Sequence, residues 1–165
     1  MRAASVAVRR AALAVALILF AGLLLRDVWL LGRYAAAALG YPYDLDYGEG
    51  IVWQQAREIV GGRGYAPLGV YPAIVFHYPP VYHLIVMGVA GIGGIDPLAA
   101  GRGVSIAATL VTMALCAVLA ARLIPPDTRR WTRLPAAIGS ALIFAVFAPV
   151  AMWFAFMRVD MLAGA

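Results

Sequence analysis

The sequence predicts an all-α, polytopic helical membrane protein, and three observations carry this prediction. Of the 165 residues, 64% are hydrophobic and only 13% are charged, whereas a soluble domain carries about 25% charged residues. The mean hydropathy is +0.88. The apolar residues form long runs, and runs of about 20 apolar residues cross a bilayer as helices. This composition leaves too little charge to coat a water-soluble surface.

The basic residues indicate membrane topology and argue against a nucleic-acid partner. All 13 are arginines and give a net charge of +5, but they stand in short clusters between apolar runs. That distribution is typical of the loops of membrane proteins. The one cysteine, Cys116, lies inside an apolar run, so the sequence predicts neither a disulfide framework nor a cysteine metal site.

A first membrane span is predicted at about 11–31. The uncharged run 11–25 is shorter than the length of about 20 residues that a span needs, so the span includes the adjacent Arg26 and Asp27. The alternative is a cleaved signal peptide with its small residues at 35–38. Those residues lie far beyond the apolar run, which favours the span.

A long outer loop is predicted at 32–103, because this segment is rich in Gly, Pro and Tyr. Within it, 49–60 has the apolar spacing of a short amphipathic helix, with Asp46 placed to cap its start and Gly61 to end it. The apolar run 81–95 is too short for a comfortable span. Both segments are expected to lie at the membrane surface.

Two further spans are predicted at about 104–121 and 136–157. They are joined by 122–135, the most basic loop of the chain. The positive-inside rule places this loop and the arginine-bearing N-terminus in the cytoplasm if 81–95 does not cross the membrane. The outer loop and the end of the last span then face the outside.

The stretch 41–50 is the first candidate for chemistry, because it holds three carboxylates directly after the first span. Asp46 and Glu49 are candidates for a general base toward a hydroxyl or an amine, and Asp44 is interpreted as a turn residue. The alternative is structural, since aspartates in loops often cap helices or stabilise turns. A cluster of acidic groups beside a bilayer is nevertheless a candidate functional site, because such groups are costly to keep there.

A second charged pair, Arg158 and Asp160, is predicted on the same side of the membrane. An arginine can hold a phosphate through two hydrogen bonds; the alternative is an ion pair that anchors a helix end. His77 and Tyr78 are expected to line or shape the outer loop. His77 and His83 lack the spacing of a zinc pair, so no cofactor is predicted, and a divalent metal stays open.

Four short motifs follow one another along the chain. They are Glu49-Gly50 ahead of Gln55-Ala56-Arg57-Glu58-Ile59 and Gly61-Gly62, then Tyr78-Pro79-Pro80-Val81-Tyr82, Gly101-Arg102, and Arg158-Val159-Asp160-Met161-Leu162. In this order they resemble the N-terminal part of the polytopic C-type glycosyltransferases. That group includes the dolichyl-phosphate-mannose–protein mannosyltransferases and the aminoarabinose transferase of lipid A. Because such proteins have more spans, the chain is expected to be a truncated or N-terminal part.

The resemblance implies a function. A sugar would pass with inversion from a polyprenyl-phosphate donor to a lipid, glycan or protein acceptor, at the outer face of a bacterial inner membrane. In the resembling family the catalytic base is the Asp of an Asp-Glu pair. This chain has Gly48-Glu49 at that place, so the resemblance implies Asp46 or Glu49 as the base. Asp160 would shape the site. The other implied substrate-binding residues are Arg57, Arg102, Arg158, Tyr78 and His77.

A hypothesis from another class is a non-catalytic membrane module, such as a fragment of a transporter or an assembly subunit. The acidic cluster would then bind an ion or a partner. Charged residues buried at mid-span would favour a transporter.

Overall fold

The computed structural model describes residues 2–69, 71, 73–125 and 130–165, and it describes the side chains from residue 6 onward except those of 130–132 and 148–149. In this part of the chain every regular element is a helix. The seven helices are α1 (Arg2–Gly40), α2 (Tyr47–Val60), α3 (Val81–Gly93), α4 (Pro97–Leu123), α5 (Arg130–Val146), α6 (Ala148–Trp153) and α7 (Val159–Ala163).

Two of the described helices are long and apolar enough to cross a membrane. They are the Val6–Gly40 part of α1 and the whole of α4, by length and composition. Only 6% of the most apolar window of α1 and 17% of that of α4 are buried inside the protein. Most of their apolar surface is therefore not covered by the described residues. The shorter apolar helices lie at Val81–Gly93 and Arg133–Val146.

Within the segment 136–157, which the sequence predicts as a membrane span, the helix breaks near the middle. Helix α5 ends at Val146, and Phe147 has an extended backbone with φ −59° and ψ 124° before α6 begins. The break lies just before Pro149, which has no N–H to donate to the preceding turn. Residues 126–129 of the predicted basic loop lie outside the described residues.

Helix α2 is defined by its two ends. Asp46 has extended backbone angles, and its carboxylate accepts a hydrogen bond from Gly48 N, which makes it the N-cap. At the other end Gly61 N donates to the carbonyl of Arg57. The predicted segment 49–60 therefore coincides with α2, which starts two residues earlier.

Helix α3 follows Pro79 and Pro80 and ends at Gly94, whose φ of +58° stops the helix in the left-handed region. Its buried face packs on α2, on the start of α4 and on the turn after α6. The buried cluster consists of Val52, Ala56, Tyr82, Val86, Ala90, Ala100 and Met157. Helix α3 therefore begins where the predicted segment 81–95 begins and ends two residues before that segment does.

The long helices run antiparallel. The C-terminal end of α1 meets the N-terminal end of α4, where Arg102 donates to the carbonyl of Ala38. Helix α5 returns along α4, and Ser140 Oγ donates to the carbonyl of Cys116. Five segments therefore meet at one end of the bundle: the end of α1, helix α2, helix α3, the start of α4 and the segment after α6. The end of α4 and the start of α5 lie at the other end.

Close packing at Gly101 gives a testable prediction for this end of the bundle. A Cβ atom at Gly101 would collide with the side chain of Met157, whereas a Cβ atom at Gly103 meets nothing within 4 Å. We expect Gly101→Ala to lower the free energy of unfolding by about 1–3 kcal/mol. Its matched control, Gly103→Ala, should raise it by about 0.5–1 kcal/mol. Thermal unfolding in detergent measures both; equal effects would contradict this packing.

Candidate functional site

The centre of this end of the bundle is an ion pair between Glu49 of α2 and Arg102 of α4. Arg102 Nε lies 2.9 Å from Glu49 Oε1, and Arg102 Nη2 lies 2.7 Å from Oε2. Both side chains are 0% exposed. The pair therefore has the two-point geometry of the strongest charge-assisted hydrogen bonds, and it joins two helices through residues that are 53 positions apart in sequence.

Arg102 also holds the end of α1 and the loop that follows it. Nη1 donates to the carbonyls of Ala38 at 2.6 Å and Tyr41 at 2.7 Å, and Nη2 donates to Tyr43 O at 2.6 Å. A guanidinium has five N–H groups, and all of them are used. Arg102 thus satisfies a carbonyl at the end of α1 that has no partner within the helix, and no donor is left for a phosphate.

The carboxylate of Glu49 is equally occupied. Besides Arg102, Oε2 accepts from Leu45 N and Oε1 accepts from Met157 N, each at 2.7 Å. Burial alone would raise the pKa of Glu49, but the hydrogen bonds from Arg102, Leu45 and Met157 outweigh it and hold this pKa below its usual range. Glu49 is therefore a charged connecting group inside the protein.

A second ion pair lies nearer the surface. Arg158 Nη1 is 3.1 Å from Asp46 Oδ2, with the two side chains 24% and 19% exposed. Arg158 Nε also lies 3.3 Å from Asp160 Oδ2, and the guanidinium stacks 4.4 Å above the ring of Trp153. Arg158 is thus held by two carboxylates at its edges and by an aromatic ring on one face.

Gly48 allows this second pair to form. A Cβ atom at this position would lie 2.6 Å from Arg158 Nη1 and 2.8 Å from Asp46 Oδ2. The space beside Gly48 is therefore filled by the guanidinium of Arg158. Asp46 and Arg158 make contact in the space that a side chain at residue 48 would need.

A cavity of about 200 Å³ adjoins Arg158. Its lining residues are Tyr47, Gly48, Ile51, Val52, His77, Tyr78, Arg158 and Val159. The rings of His77 and Tyr78 are in contact, with centroids 4.0 Å apart. The carbonyl of Tyr78 accepts a hydrogen bond from Tyr65 Oη at 2.6 Å, which joins two parts of the loop between α2 and α3.

The structure brings together some of the residues predicted from the sequence and separates others. Arg158 is bonded to both Asp46 and Asp160, and it shares the cavity with His77 and Tyr78.

Three predicted residues lie elsewhere. Glu49 and Arg102 are buried behind the cavity in their own ion pair. Arg57 is exposed and stacks on the ring of Trp53 at 4.7 Å, two turns farther along α2, and it does not line the cavity.

Tyr82 and Ser105 support the backbone of Arg158, and neither was predicted from the sequence as a site residue. Tyr82 Oη lies 3.0 Å from the carbonyl of Gly101 and 3.1 Å from Ser105 Oγ. Ser105 Oγ is in turn 3.3 Å from the carbonyl of Arg158. Burial raises the pKa of Tyr82, so its hydroxyl stays protonated and able to donate. The Pro-Pro-Val-Tyr motif includes Tyr82, but nothing in the sequence singles out Ser105 within an apolar run.

His83 is a structural residue of this core. Its Nε2 lies 3.1 Å from Gln55 Oε1, and Gln55 donates to the carbonyl of Val75 at 2.6 Å. Burial lowers the pKa of His83, which favours the neutral imidazole. Among the described residues there is no group of three or more His, Cys, Asp or Glu side chains arranged to hold a metal ion.

Comparison with known proteins adds no relative. No family model, no curated protein and no solved structure matches the chain.

The buried pair gives a second testable prediction. Glu49→Gln leaves Arg102 charged without its counter-ion, and losing one member of a buried pair costs about 3–5 kcal/mol of unfolding free energy. The matched control is Glu58→Gln on the same helix: Glu58 is 6% exposed, but its partner Arg63 is 62% exposed and stays hydrated when the pair is lost. We expect a much smaller loss there. Equal losses in the two variants would contradict a central role for Glu49.

The same pair predicts a pH dependence. Because the folded-state pKa of Glu49 lies below its ordinary value of 4.5, its stabilising contribution is fully present above pH 4.5. It is lost as the pH falls through the lower folded-state value. Acid unfolding monitored by circular dichroism should therefore show a weaker dependence in Glu49→Gln than in the parent protein.

Proposed function

We propose that this protein is, or belongs to, a membrane glycosyltransferase that moves a sugar from a polyprenyl-phosphate donor to an acceptor hydroxyl or amine. The observation that carries the proposal is the contact between Asp46 and Arg158, 3.1 Å apart, beside a cavity lined by His77 and Tyr78. A carboxylate and an arginine are the two groups that such a transfer needs: one takes a proton and the other holds a phosphate.

A membrane location supports a lipid-linked donor. Helices α1 and α4 have the length and composition of membrane spans, and the described protein leaves most of their apolar side chains uncovered. The candidate site lies at the end of the bundle opposite the arginines of the N-terminus. The positive-inside rule favours the outer side of the membrane for this site, and we propose that a multi-pass chain acts there, in a bacterial inner membrane.

The reaction follows from the two charged groups. The acceptor oxygen or nitrogen attacks the anomeric carbon of the sugar from the side opposite the phosphate, and the bond from that carbon to the phosphate oxygen breaks. The proton of the acceptor passes to the carboxylate of Asp46. The lipid phosphate leaves with the bonding electron pair, and its negative charge is stabilised by Arg158. One such displacement inverts the configuration.

Both groups have an unused atom for these roles. Among the described residues, Asp46 Oδ1 accepts no hydrogen bond, because Gly48 N and Arg158 both bond to Oδ2. Arg158 uses Nη1 for Asp46 and Nε for Asp160, and its Nη2 has no partner in the same part of the chain. In the proposed reaction a phosphate oxygen would bind at Nη2, and the acceptor would approach Oδ1.

Glu49 and Arg102 have a supporting role in this proposal. Their hydrogen bonds are all made inside the protein, so the base is assigned to Asp46 rather than Glu49. The phosphate is assigned to Arg158 rather than Arg102 or Arg57. His77 and Tyr78 present aromatic rings to the cavity, which suits the apolar face of a sugar.

Replacing the proposed base is the direct test. Asp46→Asn keeps a side chain that can cap α2 but removes the proton acceptor, and general-base catalysis contributes about 10²–10⁴-fold. We expect transfer of a radiolabelled sugar from a polyprenyl-phosphate donor to fall by that factor. The control Asp44→Asn, an exposed carboxylate in the same loop, should retain activity.

Two results would contradict this assignment. Unchanged transfer by Asp46→Asn would exclude Asp46 as the base. Absence of transfer by the parent protein in its full natural length, across donors with different sugars, would instead favour the non-catalytic membrane module.

Gly48 supplies an independent test of the pairing. The Cβ atom in Gly48→Ala would displace the end of the Arg158 side chain, whereas at Gly50 the nearest atom, Asp44 Oδ2, lies at an ordinary 3.4 Å. We expect Gly48→Ala to raise the KM for the lipid-linked donor about tenfold, the equivalent of one charge-assisted hydrogen bond. Gly50→Ala should leave it unchanged; the same KM in both variants would count against Arg158 as the phosphate ligand.

A further inference from the structure

The two aromatic residues of the proposed sugar cavity, His77 and Tyr78, lie in a segment that is neither helix nor strand. Residues 75–78 stand between the end of α2 and the start of α3, and we name them the cavity wall. A helix or a strand is held by its own ladder of backbone hydrogen bonds, whereas backbone groups of an irregular segment rely on side chains or water. The position of the two rings therefore depends on what holds the cavity wall.

Two side chains hold the cavity wall, one at each end. Gln55 of α2 is fully buried, and its Nε2 donates to the carbonyl of Val75 at 2.6 Å. Tyr65 Oη donates to the carbonyl of Tyr78 at 2.6 Å, and the rings of Tyr65 and Phe76 lie with their centroids 5.0 Å apart. Gln55 thus fixes the first residue of the wall in the core, and Tyr65 fixes the last residue at the surface.

The backbone of Tyr65 is strained. Its φ of +59° lies in the left-handed region, which costs free energy for a residue that carries a Cβ atom. The turn before it packs on α2: a Cβ atom at Gly64 would lie 2.9 Å from the Cα of Ile59, and Arg63 N donates to the carbonyl of Glu58 at 2.8 Å. Strained residues persist where their surroundings over-determine them, and they cluster at ligand sites.

We propose that Tyr65 is a positioning residue of the sugar site, whose hydroxyl holds the cavity wall so that the rings of His77 and Tyr78 stay beside Arg158. This inference rests on the proposed function and adds to it a residue that does not line the cavity. Tyr65 acts only through the wall, so the wall binds the sugar more weakly without it, in the ground state and in the transition state alike. Such a loss raises KM and leaves kcat unchanged.

Removing one hydroxyl tests the proposal. Tyr65→Phe keeps the ring on Phe76 and removes only the bond to Tyr78. We expect the KM for a polyprenyl-phosphate sugar to rise about three- to tenfold, the size of one hydrogen bond, at constant kcat. The matched control is Tyr71→Phe in the same loop, 92% exposed, which should leave both constants unchanged. An unchanged KM in Tyr65→Phe, or a fall in kcat alone, would overturn the proposal.

A double-mutant cycle shows whether Tyr65 acts through the rings. In a background with His77→Ala and Tyr78→Ala no ring is left to position, so Tyr65→Phe should no longer change the KM. Residues that act through one another give such non-additive effects, whereas independent residues give additive ones. The full rise in KM in this background would overturn the action through the cavity wall.

A protease test does not depend on sugar transfer. Arg63 is 62% exposed and lies two residues before Tyr65, and cleavage of a folded loop follows the population of its locally opened form. We expect trypsin to cleave Tyr65→Phe after Arg63 about three- to tenfold faster than the parent protein, and Tyr71→Phe at the parental rate. Equal rates in all three proteins would overturn the role of Tyr65. Faster cleavage of Tyr65→Phe, with no transfer by the parent protein, would overturn the sugar-transfer function alone.

Discussion

The bidentate pair between Glu49 and Arg102 is the interaction on which the site end of the bundle depends. An unpaired charge in a protein interior is prohibitively costly, so each of these groups requires the other, and their geometry fixes α2 against α4. Arg102 then extends this constraint to the end of α1 through Ala38 and to the following loop through Tyr41 and Tyr43. One guanidinium thus positions three segments that are distant in sequence.

The same pair positions the proposed catalytic groups indirectly. Glu49 accepts hydrogen bonds from the backbone N–H groups of Leu45 and Met157, which are the residues immediately before Asp46 and Arg158. The carboxylate therefore fixes the two backbone positions from which the outer ion pair extends. Because a site needs its groups held in the productive geometry before substrate binds, a buried carboxylate beside the site contributes to function without touching a substrate.

Much of the helical structure was predictable from the sequence, because its determinants are local. The cap at Asp46 and the glycines after α2 define that helix within a few residues. The roles of the charged residues were harder to predict, because they depend on contacts between positions about 50 to 110 residues apart. Adjacent acidic residues in one stretch offered no local sign that Glu49 would turn inward and Asp46 outward. The break at Phe147 was not predicted, because the apolar run is long enough to cross a membrane and Pro149 within it was not given weight as a helix breaker.

Among the described residues, the outer ion pair leaves one edge of the Arg158 guanidinium unoccupied. The guanidinium carbon of Arg158 lies 4.4 Å from the centre of the Trp153 ring, and Asp46 and Asp160 occupy two edges of the guanidinium. A guanidinium binds carboxylates and phosphates through its edges, so a phosphate in the proposed reaction is directed to the remaining edge, at Nη2. An ammonium group has no such plane and would not select an edge. In the proposed reaction, Arg158, the open position at Gly48 and the ring of Trp153 would together orient a phosphate beside the carboxylate of Asp46.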